Sequence, residues 1–176
     1  KIPLSPLETQ TYLARVGVRP HSAVVDVTNY MMMISAQPLH AFDYDKLKAV
    51  NGGEIDIHVR GGRSSEKLVL LDGREIELSE NDIVIANGDT AVALAGAMGG
   101  RDTEIDDSTT TVLLESASFN LYNLRNTQMR HGIFSEAITR FTKGQPAELT
   151  TPALAGAVDL LRLAAGAELA SDVADA

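Results

Sequence analysis

At 176 residues the chain is long enough to bury roughly 70% of its unfolded surface, and 44% apolar with 22% charged residues excludes a disordered or fibrous polypeptide. The absence of cysteine removes disulfides, thiolate nucleophiles and Cys-based zinc sites together; it is compatible with a reducing cytosol and sets cytoplasmic as the expected compartment. A net charge of −9 describes an acidic body that does not by itself wrap a polyanion, and no apolar run reaches the roughly 18 residues of a membrane span. The chain opens at Lys1 with neither Met nor a basic-then-apolar leader, and so reads as a piece of something longer.

In chain order, Ser5-Pro6-Leu7-Glu8 predicts a helix start, with Ser5 as cap and Pro6 in the first turn, running to Val16 and stopped by Gly17. His21 to Val27 is rich in Val and predicts a strand, after which Thr28 or Asn29 caps a short helix through Met31 to Met33 that Pro38 ends. Ile55 to Arg60 alternates as a strand. Lys67 to Leu71 and Glu75 to Leu78, joined by Asp72-Gly73, predict a hairpin, because Asp-Gly supplies the positive dihedrals of a tight turn. Asp82 to Ala86 and Thr90 to Leu94 form a second hairpin around Asn87-Gly88-Asp89, with Gly96, Gly99 and Gly100 closing it. Asp102 to Asp107 is a loop whose acids lack the spacing and terminal Glu of an EF-hand. Thr111 to Glu115 is apolar on both alternating faces and predicts a strand covered on both sides. A helix follows from Asn120 to His131, stopped by Gly132; then a strand over Ile138 to Phe141, and a helix from Thr151 to Gly166. Many short strands with three or four helices predict an α+β domain, two sheets packed with helices outside.

Familiar catalytic signatures are missing: there is no Gly-Lys-Ser/Thr phosphate loop, no Gly-x-Ser-x-Gly elbow and no His-Glu-x-x-His helix. Three features remain. His40 sits beside Phe42 after a Pro, and alone reads as a structural histidine. Ala91 to Gly100 strings small residues together, either for close packing or to leave room for a ligand. Glu115 shares a face with Leu113 and Ala117; an apolar setting costs a carboxylate several kcal/mol unless hydrogen bonds offset it. The donor is either a protein group such as an Arg or a ligand hydroxyl. Charge is also uneven. Asn120 to Gln145 carries Arg125, Arg130, Arg140 and Lys143 against Glu136, a local +3 that leaves −12 elsewhere. These cations either solvate their elements or hold a strand end.

Five segments stand in one order and spacing: Val24-Val25-Asp26-Val27-Thr28-Asn29-Tyr30, Gln37-Pro38-Leu39-His40-Ala41-Phe42-Asp43, Leu71-Asp72-Gly73, Leu94-Ala95-Gly96-Ala97-Met98-Gly99-Gly100 and Val112-Leu113-Leu114-Glu115-Ser116-Ala117. This set resembles the editing module of the bacterial phenylalanyl-tRNA synthetase beta subunit, most strongly from Arg19 to Gly144, with residues 1–176 as one editing-domain piece. The resemblance implies a three-layer mixed β-sandwich with flanking helices, two halves around a cleft. It also implies hydrolysis of the ester that joins mischarged tyrosine to tRNA(Phe). A pocket shaped for phenylalanine rejects an added hydroxyl only about 100-fold, so a second sieve has a task to perform.

Residue by residue, the resemblance puts Glu115 at the position that receives the tyrosine hydroxyl, Ala95 and Gly96 under the amino acid, and Gly99 where added bulk blocks access. His40 and Phe42 form one wall, Thr28 and Asn29 lie near the amino acid and ester, and Ser135 and Ala137 belong to the opposite lip. With no nucleophile among them, it implies a positioned water near His40, Thr28 and Asn29. Arg125, Arg130 and Arg140, from charge alone, would meet acceptor-end phosphates. Partners would be the tRNA(Phe) acceptor end and, through the whole beta subunit, the alpha subunit. No metal or cofactor is expected here, ATP and magnesium belonging to the synthetic site. The segment Arg140-Phe141-Thr142-Lys143-Gly144-Gln145-Pro146 departs from the Arg-Phe-Glu-Arg-Gly-Val-Asp-Pro of many relatives. The competing reading is a non-catalytic structural or tRNA-docking module.

Overall fold

The computed structural model describes residues 1–175. It is an α+β fold of three small sheets and six helices among the described residues. Helix α1 (Leu7–Arg15) leads into α2 (Ala23–Ser35), β1 (Leu39–Asp43) and α3 (Tyr44–Val50). A four-stranded antiparallel sheet has the order β2 (Ile57–Gly61), β5 (Ile83–Asn87), β6 (Thr90–Leu94), β7 (Met98–Gly99); the hairpin β3 (Lys67–Val69) and β4 (Glu75–Glu77) is separate. Strand β8 (Val112–Ser116) pairs with β1, and α4 (Leu121–His131), α5 (Glu136–Phe141) and α6 (Thr150–Ala165) complete the chain. Among the described residues no helix is long and apolar enough to cross a membrane.

Both predicted hairpins form where their turn chemistry places them. Gly73 (φ +84°) and Gly88 (φ +55°) supply the left-handed positions. The predicted helix over 120–131 is also present. Asn120 caps it by accepting from the Tyr122 and Asn123 amides, and Gly132 (φ +62°) ends it.

Two predicted strands are helices. Of the predicted strand His21 to Val27, Ala23 to Val27 is the start of α2, so Thr28 and Asn29 sit inside that helix and cap nothing; it ends at Ser35, before Pro38, with Ala36 left-handed. The Val-rich sequence misleads because α2 is buried on several sides. Val24, Val27 and Met31 pack with Ala41 of β1 and with Ala153, Ala157 and Leu161 of α6, and packing overrides β propensity. Ile138 to Phe141 belongs to α5, whose N-cap Ser135 accepts from the Ile138 amide. Ser5 does not cap α1 either: buried, it donates to Asp26 of α2 at 2.6 Å.

The β1–β8 ribbon sets up everything that follows. It is covered on both faces, as predicted for 111–115. Leu39, Ala41, Val112 and Leu114 join the α2–α6 core, while Phe42 and Leu113 join the core under the four-stranded sheet. The register places His40 opposite Glu115 and Phe42 opposite Leu113. Gln37 fastens the end of the ribbon, its side-chain amide donating to the carbonyls of Pro38 and Ala117.

Candidate functional site

Directly opposed residues on an antiparallel pair carry Cβ atoms about 4.5–5.5 Å apart on one face, so His40 and Glu115 project side by side from the ribbon. They project into a small open cleft of about 70 Å³, below the roughly 300–1,000 Å³ of small-ligand sites. Opposite the ribbon are the small residues at the end of β6 and the start of β7, Ala95, Gly96, Ala97 and Gly99, and the third side is Ala137 and Phe141 of α5. Of the fourteen lining residues only His40 and Glu115 have polar side chains.

The small residues have specific reasons. Gly96 has φ +64°, and a Cβ there would stand 3.0 Å from Leu124, Phe119 and Phe141 carbons at once, so both backbone conformation and space demand glycine. The Ala95 amide donates to the Ile83 carbonyl and the Ala97 amide to the Leu94 carbonyl, which fixes this turn as a backbone floor.

Glu115 is half-buried, and among the described residues no hydrogen bond reaches its carboxyl. Burial pushes its pKa up to about 7 and that of His40 down to about 4, both toward the neutral form as desolvation requires. The protein donor that the sequence left open for Glu115 is therefore not supplied. A small apolar cleft with two unpartnered polar groups on one wall can align a ligand that brings its own hydrogen-bonding atoms.

The other expected residues divide. Ala137 lines the cleft; Ser135 does not, and instead donates to the Ala97 carbonyl at 2.8 Å, clamping the start of α5 to the turn. Phe42 is wholly buried behind His40 instead of forming wall surface. Thr28 and Asn29 are not among the residues that line the cleft. Helix α2 packs on the Ala41 face of β1, opposite His40, and Thr28 donates to the Val25 carbonyl of its own helix. Arg125 is exposed and donates to the Thr142 carbonyl, Arg130 approaches Asp82 at 3.9 Å, and Arg140 pairs with Glu136. Sequence reasoning missed Phe141 as a lining residue because it placed 138–141 on a strand. The helical spacing from Ala137 to Phe141, with Ser135 as N-cap, carried that signal.

Residues 1–166 match the B3/4 domain family. The chain belongs to that family. This B3/4 domain is also similar to part of the phenylalanine–tRNA ligase beta subunit of Geobacillus kaustophilus, at 44% identity over 98% of the chain and 21% of the relative. The same-named subunits of Lactobacillus johnsonii (44%, over 92% of the chain and 20% of the relative) and Bacillus subtilis (42%, over 94% and 20%) are similar too. The chain thus spans about a fifth of the length of these relatives.

Proposed function

We propose that this B3/4 domain is the editing part of a phenylalanyl-tRNA synthetase beta subunit, hydrolysing the ester of tyrosine mischarged to tRNA(Phe), with Glu115 receiving the tyrosine hydroxyl. The observation that carries the reading is the Glu115 carboxyl, facing an apolar cleft with no protein partner. A phenol both donates and accepts, so it pairs with that carboxyl in either protonation state. Phenylalanine in the same place leaves the carboxyl desolvated and unpaired, at a cost of about 1–3 kcal/mol, which makes the site select for the hydroxyl.

In this reading the Ala95–Gly96 floor and the Ala137 and Phe141 lip flank the amino acid. No lining side chain is a Ser, Thr, Lys or Cys, so the attacking group is a water held against an ester that is already activated. The chain contributes orientation and a fixed polar surround, and His40, neutral at physiological pH, adds a hydrogen-bonding group without a charge. Thr28 and Asn29 stay in this proposal as residues near that water, outside the lining itself. The tRNA(Phe) acceptor end and the alpha subunit are partners of the whole synthetase in this proposal, which requires no cofactor of this domain and places it in the cytoplasm.

The test uses the full synthetase with tyrosyl- and phenylalanyl-tRNA(Phe). Wild type is expected to deacylate the tyrosyl ester faster by at least about tenfold, and Glu115→Ala to reduce that ratio by the roughly 5- to 150-fold that 1–3 kcal/mol represents. Equal deacylation of both substrates by both proteins overturns the hydroxyl sieve. Absence of deacylation altogether returns the structural or docking module.

A further inference from the structure

Two residues contact His40 in ways that suit holding it more than meeting a substrate. The imidazole lies edge-on to the Phe42 ring, centroids 4.4 Å apart and planes at 82°, and Phe42 is fully buried. On another side β7 brings Gly99 past the imidazole. A Cβ built at Gly99 would stand 2.5 Å from His40 Cε1, 2.7 Å from Nε2 and 3.2 Å from Leu71 Cδ1. Gly99 has no left-handed φ, so glycine is there for space and not for conformation. A methyl group at 99 cannot coexist with the imidazole where it stands, and of the two the imidazole is on a rotatable side chain.

We propose that Gly99 and Phe42 are positioning residues for His40: the absent side chain of one and the ring of the other hold the imidazole in register with Glu115. Bulk at position 99 then acts on the reaction by displacing His40 and not by filling the cleft. This rests on the editing reading for its activity readout, and the structural readout below is independent of it.

Tyrosyl-tRNA(Phe) deacylation by the full synthetase is measured for Gly99→Ala, Phe42→Leu and His40→Ala, and for each of the first two combined with His40→Ala. Each single variant is expected to lose about tenfold or more in kcat/KM, since a displacement of about 1 Å costs up to about 100-fold. In the His40→Ala background, Gly99→Ala and Phe42→Leu are expected to add less than about twofold, as residues acting through one group are non-additive. The same loss in both backgrounds overturns the proposal in favour of plain obstruction, and so does a His40→Ala enzyme of wild-type rate. Crystal structures of the Gly99→Ala and Phe42→Leu synthetases provide the second arm, with the His40 ring expected to shift by about 1 Å. An unmoved ring overturns the proposal whether or not the enzyme edits, and a wild type that leaves the tyrosyl ester intact overturns only the editing reading.

Discussion

This molecule brings a carboxyl and an imidazole together twice, with opposite outcomes. In the cleft, Glu115 and His40 stand side by side on one face of the ribbon without hydrogen-bond partners among the described residues, and both shift toward their neutral forms. At the far end of α4, Asp82 is fully partnered. It accepts from Thr127 Oγ1 at 2.7 Å, from the Ser79 amide and hydroxyl at 2.9 and 3.0 Å, and meets His131 Nε2 at 3.0 Å. Burial alone would raise the Asp82 pKa, yet the hydrogen bonds from His131, Thr127 and Ser79 together hold it below the usual carboxylate range. The lesson concerns partners more than burial. A sheltered acid whose lone pairs are filled by the chain is part of the fold, whereas one left open is available to something else.

Substitution separates the two sites most sharply. Asp82→Ala leaves Thr127, Ser79 and His131 without their common acceptor, and is expected to lower stability by about 3 kcal/mol, read as a fall in urea midpoint. A loss under about 1 kcal/mol erases the contrast. Glu115→Ala is expected to do the reverse: little loss in urea midpoint, because no protein hydrogen bond is broken, but a selectivity for the tyrosyl ester reduced by about 1–3 kcal/mol.

A pH series sharpens the contrast further. The folded-state pKa of Glu115 is raised to about 7, so the unfolded chain holds fewer protons there and stability falls as pH rises from the ordinary Glu value to 7. For His40, lowered to about 4, the unfolded chain holds more protons, and stability rises between pH 4 and 6.5. The slopes oppose each other in the wild type. Urea midpoints of Glu115→Gln should therefore climb with pH across this window and those of His40→Gln should decline, each by less than about 1.4 kcal/mol per pH unit. Parallel profiles would show that the cleft does not desolvate the pair. Asp82 behaves conventionally, its contribution being lost only as pH falls through its depressed pKa. The smallest effect is expected for Arg130→Ala. Its 3.9 Å approach to Asp82 from an exposed position is worth under about 0.5 kcal/mol, against the large loss at Asp82 itself.

How much of this was legible in the sequence follows the range of the forces involved. Asp72-Gly73 and Asn87-Gly88 announced their hairpins, and Asn120 with Gly132 bracketed α4, because turn and cap chemistry is local. Val24, Val25 and Val27 pointed to a strand since their β-branching is local too; the burial that makes them helical comes from α6, more than a hundred residues later. For 138–141 the local signal was present at Ser135 and outweighed by the β propensity of Ile138, Thr139 and Phe141. In the cleft, Glu115 could be singled out from its apolar neighbours, but its facing residue could not: the pairing with His40 is a matter of strand register across the fold. The family resemblance carried the site list, and geometry then divided it: Ala95, Gly96, Gly99, His40, Glu115 and Ala137 line the cleft, whereas Phe42, Ser135, Thr28 and Asn29 do not.

The ribbon has a temporal consequence. Its two strands are separated by the whole four-stranded sheet and the β3–β4 hairpin, so closing it carries the slow, long-loop entropy of non-local pairing. On the ribosome, a nascent chain that has emerged only as far as β7 contains Gly96 and His40 but has no cleft, since Phe119, Leu124 and Phe141, which pack against Gly96, are still to come. The cleft comes into being late, after the final strand has zipped alongside the first and α5 has closed the third side, and a chain arrested before β8 carries an imidazole with no carboxyl opposite it.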